Sequence, residues 1–104
     1  LKPHDPDVRV SVTGGMNRPP YEKNAGVVRL FEQVGALARE LGMDLQDVPM
    51  TGGGSDGNFT AALGIPTLDG LGIDGDGAHT LQEYGLVSSI APRAQLMHVL
   101  LERL

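Results

Sequence analysis

A histidine stands near the end of a glycine-rich loop, in the hexapeptide G-D-G-A-H-T at residues 75–80. The loop follows a predicted buried strand at 65–68, and ligands of α/β proteins bind beyond the carboxyl ends of such strands. Neutral imidazole is the most frequent zinc ligand. His79 is therefore a candidate metal ligand, and the alternative is an ordinary surface histidine. His4 and His98 are predicted to be surface residues.

A second glycine-rich segment, T-G-G-G-S-D-G, occupies residues 51–57. It lies between a predicted strand at 45–50 and a short predicted helix at 58–63. Glycines allow a ligand to approach the backbone closely, and the start of a helix offers N–H groups to an anion. The segment therefore predicts a site for a carboxylate or a developing oxyanion. The alternative is a flexible turn in which Ser55 or Asp56 only caps the helix.

An arginine precedes two prolines in the tetrapeptide N-R-P-P at residues 17–20. The prolines fix the backbone and exclude a helix. They therefore give Arg18 a preset direction, and its guanidinium can bind a carboxylate through two parallel hydrogen bonds. The alternative is a solvated loop arginine.

Two further patterns around residue 74 do not predict sites. G-L-G-I-D-G at 70–75 matches a dinucleotide-binding pattern, but no helical periodicity follows it, as such a site requires. Asp74 and Asp76 lack the remaining ligands of a calcium loop.

The elements that must position these residues alternate along the chain. Alternating valines predict a strand over 8–13, and apolar spacing predicts a helix over 25–41, with Asn24 as N-cap and Gly42 after its end. A last helix is expected from Ser88 or Ser89 to residue 104. Its predicted apolar face consists of Ile90, Ala94, Met97, Leu101 and Leu104. The alternation of strands and helices predicts an α/β fold with some parallel pairing, and three strands leave exposed edges that indicate missing partner strands.

The amino-acid composition argues against several classes of protein. The 104 residues fit one small domain or a piece of a larger one, and hydrophobic residues at 40% permit a core. A net charge of -5 argues against a nucleic-acid partner, and no apolar stretch predicts a membrane span. Without cysteine, any metal must be held by histidine and carboxylates.

Taken in order, these segments resemble a known family of dinuclear zinc peptidases and deacylases. The family includes glutamate carboxypeptidase, carboxypeptidase G, acetylornithine deacetylase and succinyl-diaminopimelate desuccinylase. The resemblance rests on 8–20, on 51–57, and on P-T-L-D-G-L-G followed by G-A-H-T and E-Y within 66–84. It covers nearly the whole chain and corresponds to the C-terminal part of the family's enzymes.

The resemblance implies specific roles for four residues. His79 would be a ligand of one of two zinc ions, with cobalt or manganese as alternatives. Arg18 would bind the free carboxylate of an N-acyl amino acid or small peptide, and Gly54 with Ser55 would offer backbone contacts to it. The other ligands and the general base of the family lie in segments that this chain does not contain. No catalytic residue is therefore assigned, and the isolated chain is expected to be inactive.

The resemblance also implies an organisation for the chain. Residues 1–20 would end the lid or dimerisation domain, and 21–104 would form the C-terminal part of the catalytic domain. A homodimer and a cytoplasmic location are expected, with the periplasm as the alternative location. Two other functions stay open, namely an N-acetyl or N-succinyl amino acid deacylase and a non-catalytic anion-binding module.

Overall fold

The computed structural model of the chain describes residues 3–104. Its helices and strands, in chain order, are α1 (Ala25–Glu40), α2 (Gly57–Ala62), β1 (Gly75–Asp76), β2 (Tyr84–Gly85) and α3 (Val87–Arg103). The predicted domain boundary at residue 20 stays a prediction. The first two residues of the predicted segment 1–20 lie outside the described part of the chain.

Helix α1 begins at the predicted residue 25 and ends at Glu40, one residue before the predicted end. The Asn24 side chain accepts hydrogen bonds from the backbone N–H groups of Gly26 at 2.9 Å and Val27 at 3.1 Å. At the other end Gly42 has a φ of +75°, a conformation that favours glycine, and it ends the helix as expected.

The core lies between α1 and α3. Val34 and Ala38 of α1 pack with Leu96 and Leu100 of α3, and none of the four is more than 6% exposed. Partly buried side chains surround them: Leu30, Leu37, Leu41, Met43, Leu45, Leu68 and Leu71. An ion pair at 2.7 Å joins Arg103 to Glu40. The described chain thus has one small apolar cluster between two helices.

The predicted start and apolar face of α3 are wrong. The helix begins at Val87, and the Ser89 hydroxyl donates to the Leu86 carbonyl at 2.6 Å and accepts from the Asp74 N–H at 2.9 Å. The buried face contains Ser89, Leu96 and Leu100, whereas Leu101 is 81% exposed. Apolar residues occur on both sides of this helix, so spacing alone selected the wrong side.

The predicted parallel sheet is also wrong. Residues 8–13, 45–50 and 65–68 contain no strand, and Val12 is 71% exposed. Within residues 3–104 the strand pairing is antiparallel and short, with Gly75 opposite Gly85 and Asp76 opposite Tyr84. A strand requires a hydrogen-bonded neighbour, and the three apolar segments do not lie beside one another as strands. The observed fold is a small mixture of helices and one hairpin.

The chain is extended for its size. Its radius of gyration is 18.9 Å, against about 13 Å for a compact domain of 100 residues. Its accessible surface is 8428 Å², against about 5,600 Å² for a compact monomer of this mass. In the described part of the chain, no helix combines the length and apolar character needed to cross a membrane.

Candidate functional site

Arg18 lies against the glycine-rich turn that precedes α2. Its Nη1 is 3.1 Å from Oδ1 of Asp56, and its guanidinium carbon is 4.7 Å from the centre of the Phe59 ring. The Arg18 side chain is 33% exposed, so solvent or a ligand can still reach it. The structure therefore brings together two segments that are distant in sequence and that each predict carboxylate binding.

Asn58 fastens these two segments to each other. Its Nδ2 donates to the Pro19 carbonyl at 2.8 Å, and its Oδ1 accepts from the Ser55 N–H at 2.9 Å. One side chain thus holds both the proline pair next to Arg18 and the turn before α2. The position of Arg18 relative to the turn is fixed by this pair of hydrogen bonds.

The donors of the first turn of α2 are used within the chain. The Ser55 hydroxyl accepts from the Gly57 N–H at 3.0 Å, and the N–H groups of Asn58 and Phe59 donate to the carbonyls of Ser55 and Asp56. The N–H groups that the sequence offered to an anion are thus engaged. The N-cap residue of α2 is Asp56, which makes no side-chain capping bond, and the Ser55 hydroxyl binds the first N–H of the helix instead. A contact between Ser55 and substrate stays a prediction.

Gly54 lies where any side chain would meet Arg18. A Cβ at this position would be 3.2 Å from Cδ and 3.7 Å from Nε of Arg18. Within residues 3–104, the N–H groups of Gly52, Gly53 and Gly54 donate no hydrogen bond. Gly54 is therefore the glycine of this turn that lies beside the Arg18 side chain, and a free backbone N–H next to a guanidinium suits a carboxylate.

Tyr21 and Thr67 support the turn from the segment that follows α2. The Tyr21 hydroxyl donates to the Thr67 carbonyl, and the Thr67 and Thr60 hydroxyls are 2.8 Å apart. Burial, with a smaller effect from the charge of Asp69, raises the pKa of Tyr21 above its ordinary value. Tyr21 therefore keeps the proton that this hydrogen bond needs.

His79 lies in the turn that joins β1 and β2. Its side chain is exposed, its φ is +65°, and its N–H donates to Oε2 of Glu83 at 3.3 Å. The preceding turn of backbone requires Gly77, whose φ is +72° and whose Cβ would lie 2.9 Å from the Gln82 carbonyl oxygen. The hairpin therefore sets the backbone direction of the histidine.

The described residues do not form a complete metal site. Among residues 3–104, no three histidine or carboxylate side chains converge so that they could hold an ion. A single imidazole does not bind zinc firmly, since structural and catalytic zinc sites use three or four protein ligands. His79 can serve only as one ligand of a site to which other residues contribute. His98 pairs with Glu102 at 3.5 Å on the exposed side of α3, as expected for a surface histidine.

Three residues near Arg18 or its turn, namely Tyr21, Asn58 and Phe59, were not predicted to take part in a site. Phe59 and Asn58 were assigned only to a short helix, and Tyr21 only to a rigid crossing. An aromatic ring three residues after Asp56 lies on the same side of a helix and could have suggested contact with the same partner. That partner is Arg18, which lies 38 residues from Asp56 in sequence, so the local sequence pattern could not identify it.

Peptidase family M20/M25/M40 matches this chain over residues 6–103. The match covers nearly all of the sequence, and the chain therefore belongs to this family. The matched family is a family of peptidases.

Among curated proteins, the chain is similar to carboxypeptidase G2 from Pseudomonas sp. (strain RS-16). The two sequences are 36% identical over 88 residues, which is 84% of this chain and 21% of the relative. The chain thus spans about a fifth of the relative's length. No solved structure shows a significant match.

Proposed function

We propose that this chain forms the carboxylate-binding part of a metal-dependent carboxypeptidase. The enzyme would cleave the amide bond of an N-acyl amino acid or small peptide that has a free carboxylate. The observation that carries the proposal is the close approach of the Arg18 side chain to Gly54, whose backbone N–H donates no hydrogen bond within the described residues. The family membership and the similarity to a carboxypeptidase support it.

In this proposal Arg18 binds and orients the substrate. Its guanidinium donates hydrogen bonds to the terminal carboxylate, and the Gly54 N–H adds a backbone donor on the same side. Binding the carboxylate at a fixed point positions the neighbouring amide relative to the reacting groups. Ser55 and Asn58 maintain the turn. Ser55 is proposed to contact the substrate carboxylate through its backbone, next to Gly54.

His79 is proposed as one metal ligand. Two zinc ions, with cobalt or manganese as alternatives, would polarise the attacking water and the amide carbonyl. The remaining ligands and the general base would come from residues outside this chain, and among residues 3–104 no ligand set converges. The chain by itself is therefore proposed to be inactive. The homodimer, the cytoplasmic location and the domain division at residue 20 also remain proposals.

The role of Arg18 is tested in the complete enzyme that contains this chain. We expect Arg18→Ala to raise KM for a free-carboxylate N-acyl amino acid by about tenfold to a hundredfold, as loss of a charged hydrogen bond predicts. kcat should change little, since the carboxylate is bound in both ground and transition states. The matched control is Arg29→Ala, which removes an exposed arginine of α1.

A paired substrate makes this test specific. The methyl ester of the same compound lacks the carboxylate charge, so Arg18→Ala should alter its KM much less. Equal effects of Arg18→Ala on the acid and the ester, or no effect on either, would contradict the proposal. Weakened binding of the carboxylate in a protein that neither binds metal nor hydrolyses the amide would favour the anion-binding module.

A further inference from the structure

We propose that Asp56 and Phe59 are positioning residues that orient the guanidinium of Arg18 for the substrate carboxylate. This inference rests on the proposed function, and it assigns roles to two residues at the start of α2. Asp56 Oδ1 accepts from Nη1 of Arg18 at 3.1 Å. The Phe59 ring lies 4.7 Å from the guanidinium carbon. The two contacts come from different directions and restrict different rotations of the same group.

The hydrogen bond to Asp56 leaves one edge of the guanidinium open. It uses Nη1, and within residues 3–104 neither Nε nor Nη2 of Arg18 makes a hydrogen bond. Nε and Nη2 form the edge that can donate two parallel hydrogen bonds to a carboxylate. Asp56 therefore holds the guanidinium without occupying the edge that the proposed substrate needs.

Phe59 adds a second restraint through its ring. A guanidinium near an aromatic face is attracted by the negative charge density of the ring. This attraction limits the tilt of the guanidinium plane, which the hydrogen bond at Nη1 alone does not fix. Arginine loses rotamer freedom when it binds a ligand, and prior ordering by Asp56 and Phe59 reduces that loss on binding.

The exposure of the Asp56 side chain determines whether Asp56 orients Arg18 or competes with the substrate carboxylate for it. Its side chain is 96% exposed, so solvent strongly weakens both its attraction to Arg18 and its repulsion of a substrate carboxylate. A buried carboxylate would compete with the substrate for Arg18. The hydrated Asp56 carboxylate, bound to Nη1 alone, mainly orients the Arg18 guanidinium. The net effect of Asp56 should therefore favour substrate binding.

Single substitutions in the complete enzyme test the two roles. Asp56→Asn removes the charge, and Phe59→Leu removes the ring while it keeps an apolar side chain. Each should raise KM for the free-carboxylate substrate by about twofold to fivefold, as expected for an exposed ion pair or cation–π contact. kcat and KM for the methyl ester should stay at the parental values. Phe59→Tyr retains the ring and should behave as the parent.

A matched control and a double-mutant cycle separate positioning from general destabilisation. Asp47→Asn removes another exposed ion pair, with Lys23, and should leave KM unchanged. In an Arg18→Ala background, Asp56→Asn and Phe59→Leu should have no further effect on KM, because they act only through Arg18. A merely structural role would instead raise KM or lower kcat in both backgrounds.

The outcomes distinguish this inference from the proposed function. If Arg18→Ala raises KM but Asp56→Asn and Phe59→Leu leave it at the parental value, the positioning inference fails and the proposed function stands. A lower KM in Asp56→Asn would identify Asp56 as a competitor and also overturn the inference. If Arg18→Ala leaves KM unchanged, both fail together.

Discussion

His79 adopts a left-handed backbone conformation, with a φ of +65°. Non-glycine residues rarely occupy this region, although histidine, asparagine and aspartate are found there more often than other types. A residue held in such a conformation must be constrained by its surroundings. Here the constraints are the two-stranded hairpin and the hydrogen bond from the His79 N–H to Glu83.

We expect His79→Asn in the complete enzyme to lose bound metal and activity together while the fold is retained. Asparagine tolerates the left-handed conformation but lacks the imidazole nitrogen that the proposed metal site uses. The metal content per chain, the hydrolysis rate and the thermal midpoint should be measured on the same preparation. His98→Asn, which removes an exposed histidine of α3, should leave all three unchanged. Normal metal content and rate in His79→Asn would show that the ligand assignment is wrong.

Local residue types predicted only part of the surroundings of Arg18. The prolines after Arg18 predicted a restricted arginine, and the glycines before α2 predicted a turn open to a ligand, because both residue types act on the backbone locally. The ligand contact of Gly54 is still a prediction. The contacts of Arg18 with Asp56 and Phe59 were not predicted, because they depend on how two distant segments meet. His79 was singled out by residue type and loop position, and its metal role is still a prediction.

At the scale of elements, the β1–β2 hairpin depends on a glycine at Gly75. A Cβ there would overlap with the Tyr84 carbonyl oxygen and would lie 3.2 Å from the Gly85 Cα. Both neighbours belong to the backbone of the paired strand, so neither can move aside without breaking the pairing. The strand pairing that holds the His79 turn in place is therefore incompatible with a side chain at residue 75.

We expect Gly75→Ala to destabilise the complete enzyme by about 1–3 kcal/mol, the usual effect of forcing an extra methyl group into a closed contact. Because the hairpin sets the direction of His79, the affinity for metal should fall as well. Chemical denaturation and metal titration measure the two effects. Gly72→Ala is the control, since a Cβ there meets nothing within 4 Å. If the two variants were equally stable, the hairpin would not have the rigidity assigned to it.

Helices were predicted better than strands for a physical reason. A helix satisfies its own backbone hydrogen bonds, so local features such as Asn24 and Gly42 suffice to define the ends of α1. A strand needs a partner, and the alternating valines of 8–13 remain without one among the described residues. The face of α3 was mispredicted because its burial is determined by α1, which the sequence of α3 does not encode.

At the scale of the whole molecule, most apolar side chains outside the α1–α3 contact are exposed. They include Met50 and Leu101, both above 80% exposed, and the surface of the chain is larger than a compact monomer of this mass would have. A core of this size stabilises a fold only weakly. The chain also matches about a fifth of its carboxypeptidase relative. These observations support the proposal that the chain is inactive by itself.

We therefore expect the isolated 104-residue chain to hydrolyse no N-acyl amino acid, with or without added zinc. Among its described residues no set of ligands converges, and His79 alone should neither retain zinc nor gain stability from it. Hydrolysis and thermal unfolding should be followed across a zinc titration. Turnover that rises with zinc would contradict this expectation. A ligand that binds only the folded state raises the free energy of unfolding by RT ln(1 + [L]/Kd). If a carboxylate ligand stabilises the metal-free chain, and this stabilisation is lost in Arg18→Ala, the chain binds anions without catalysis.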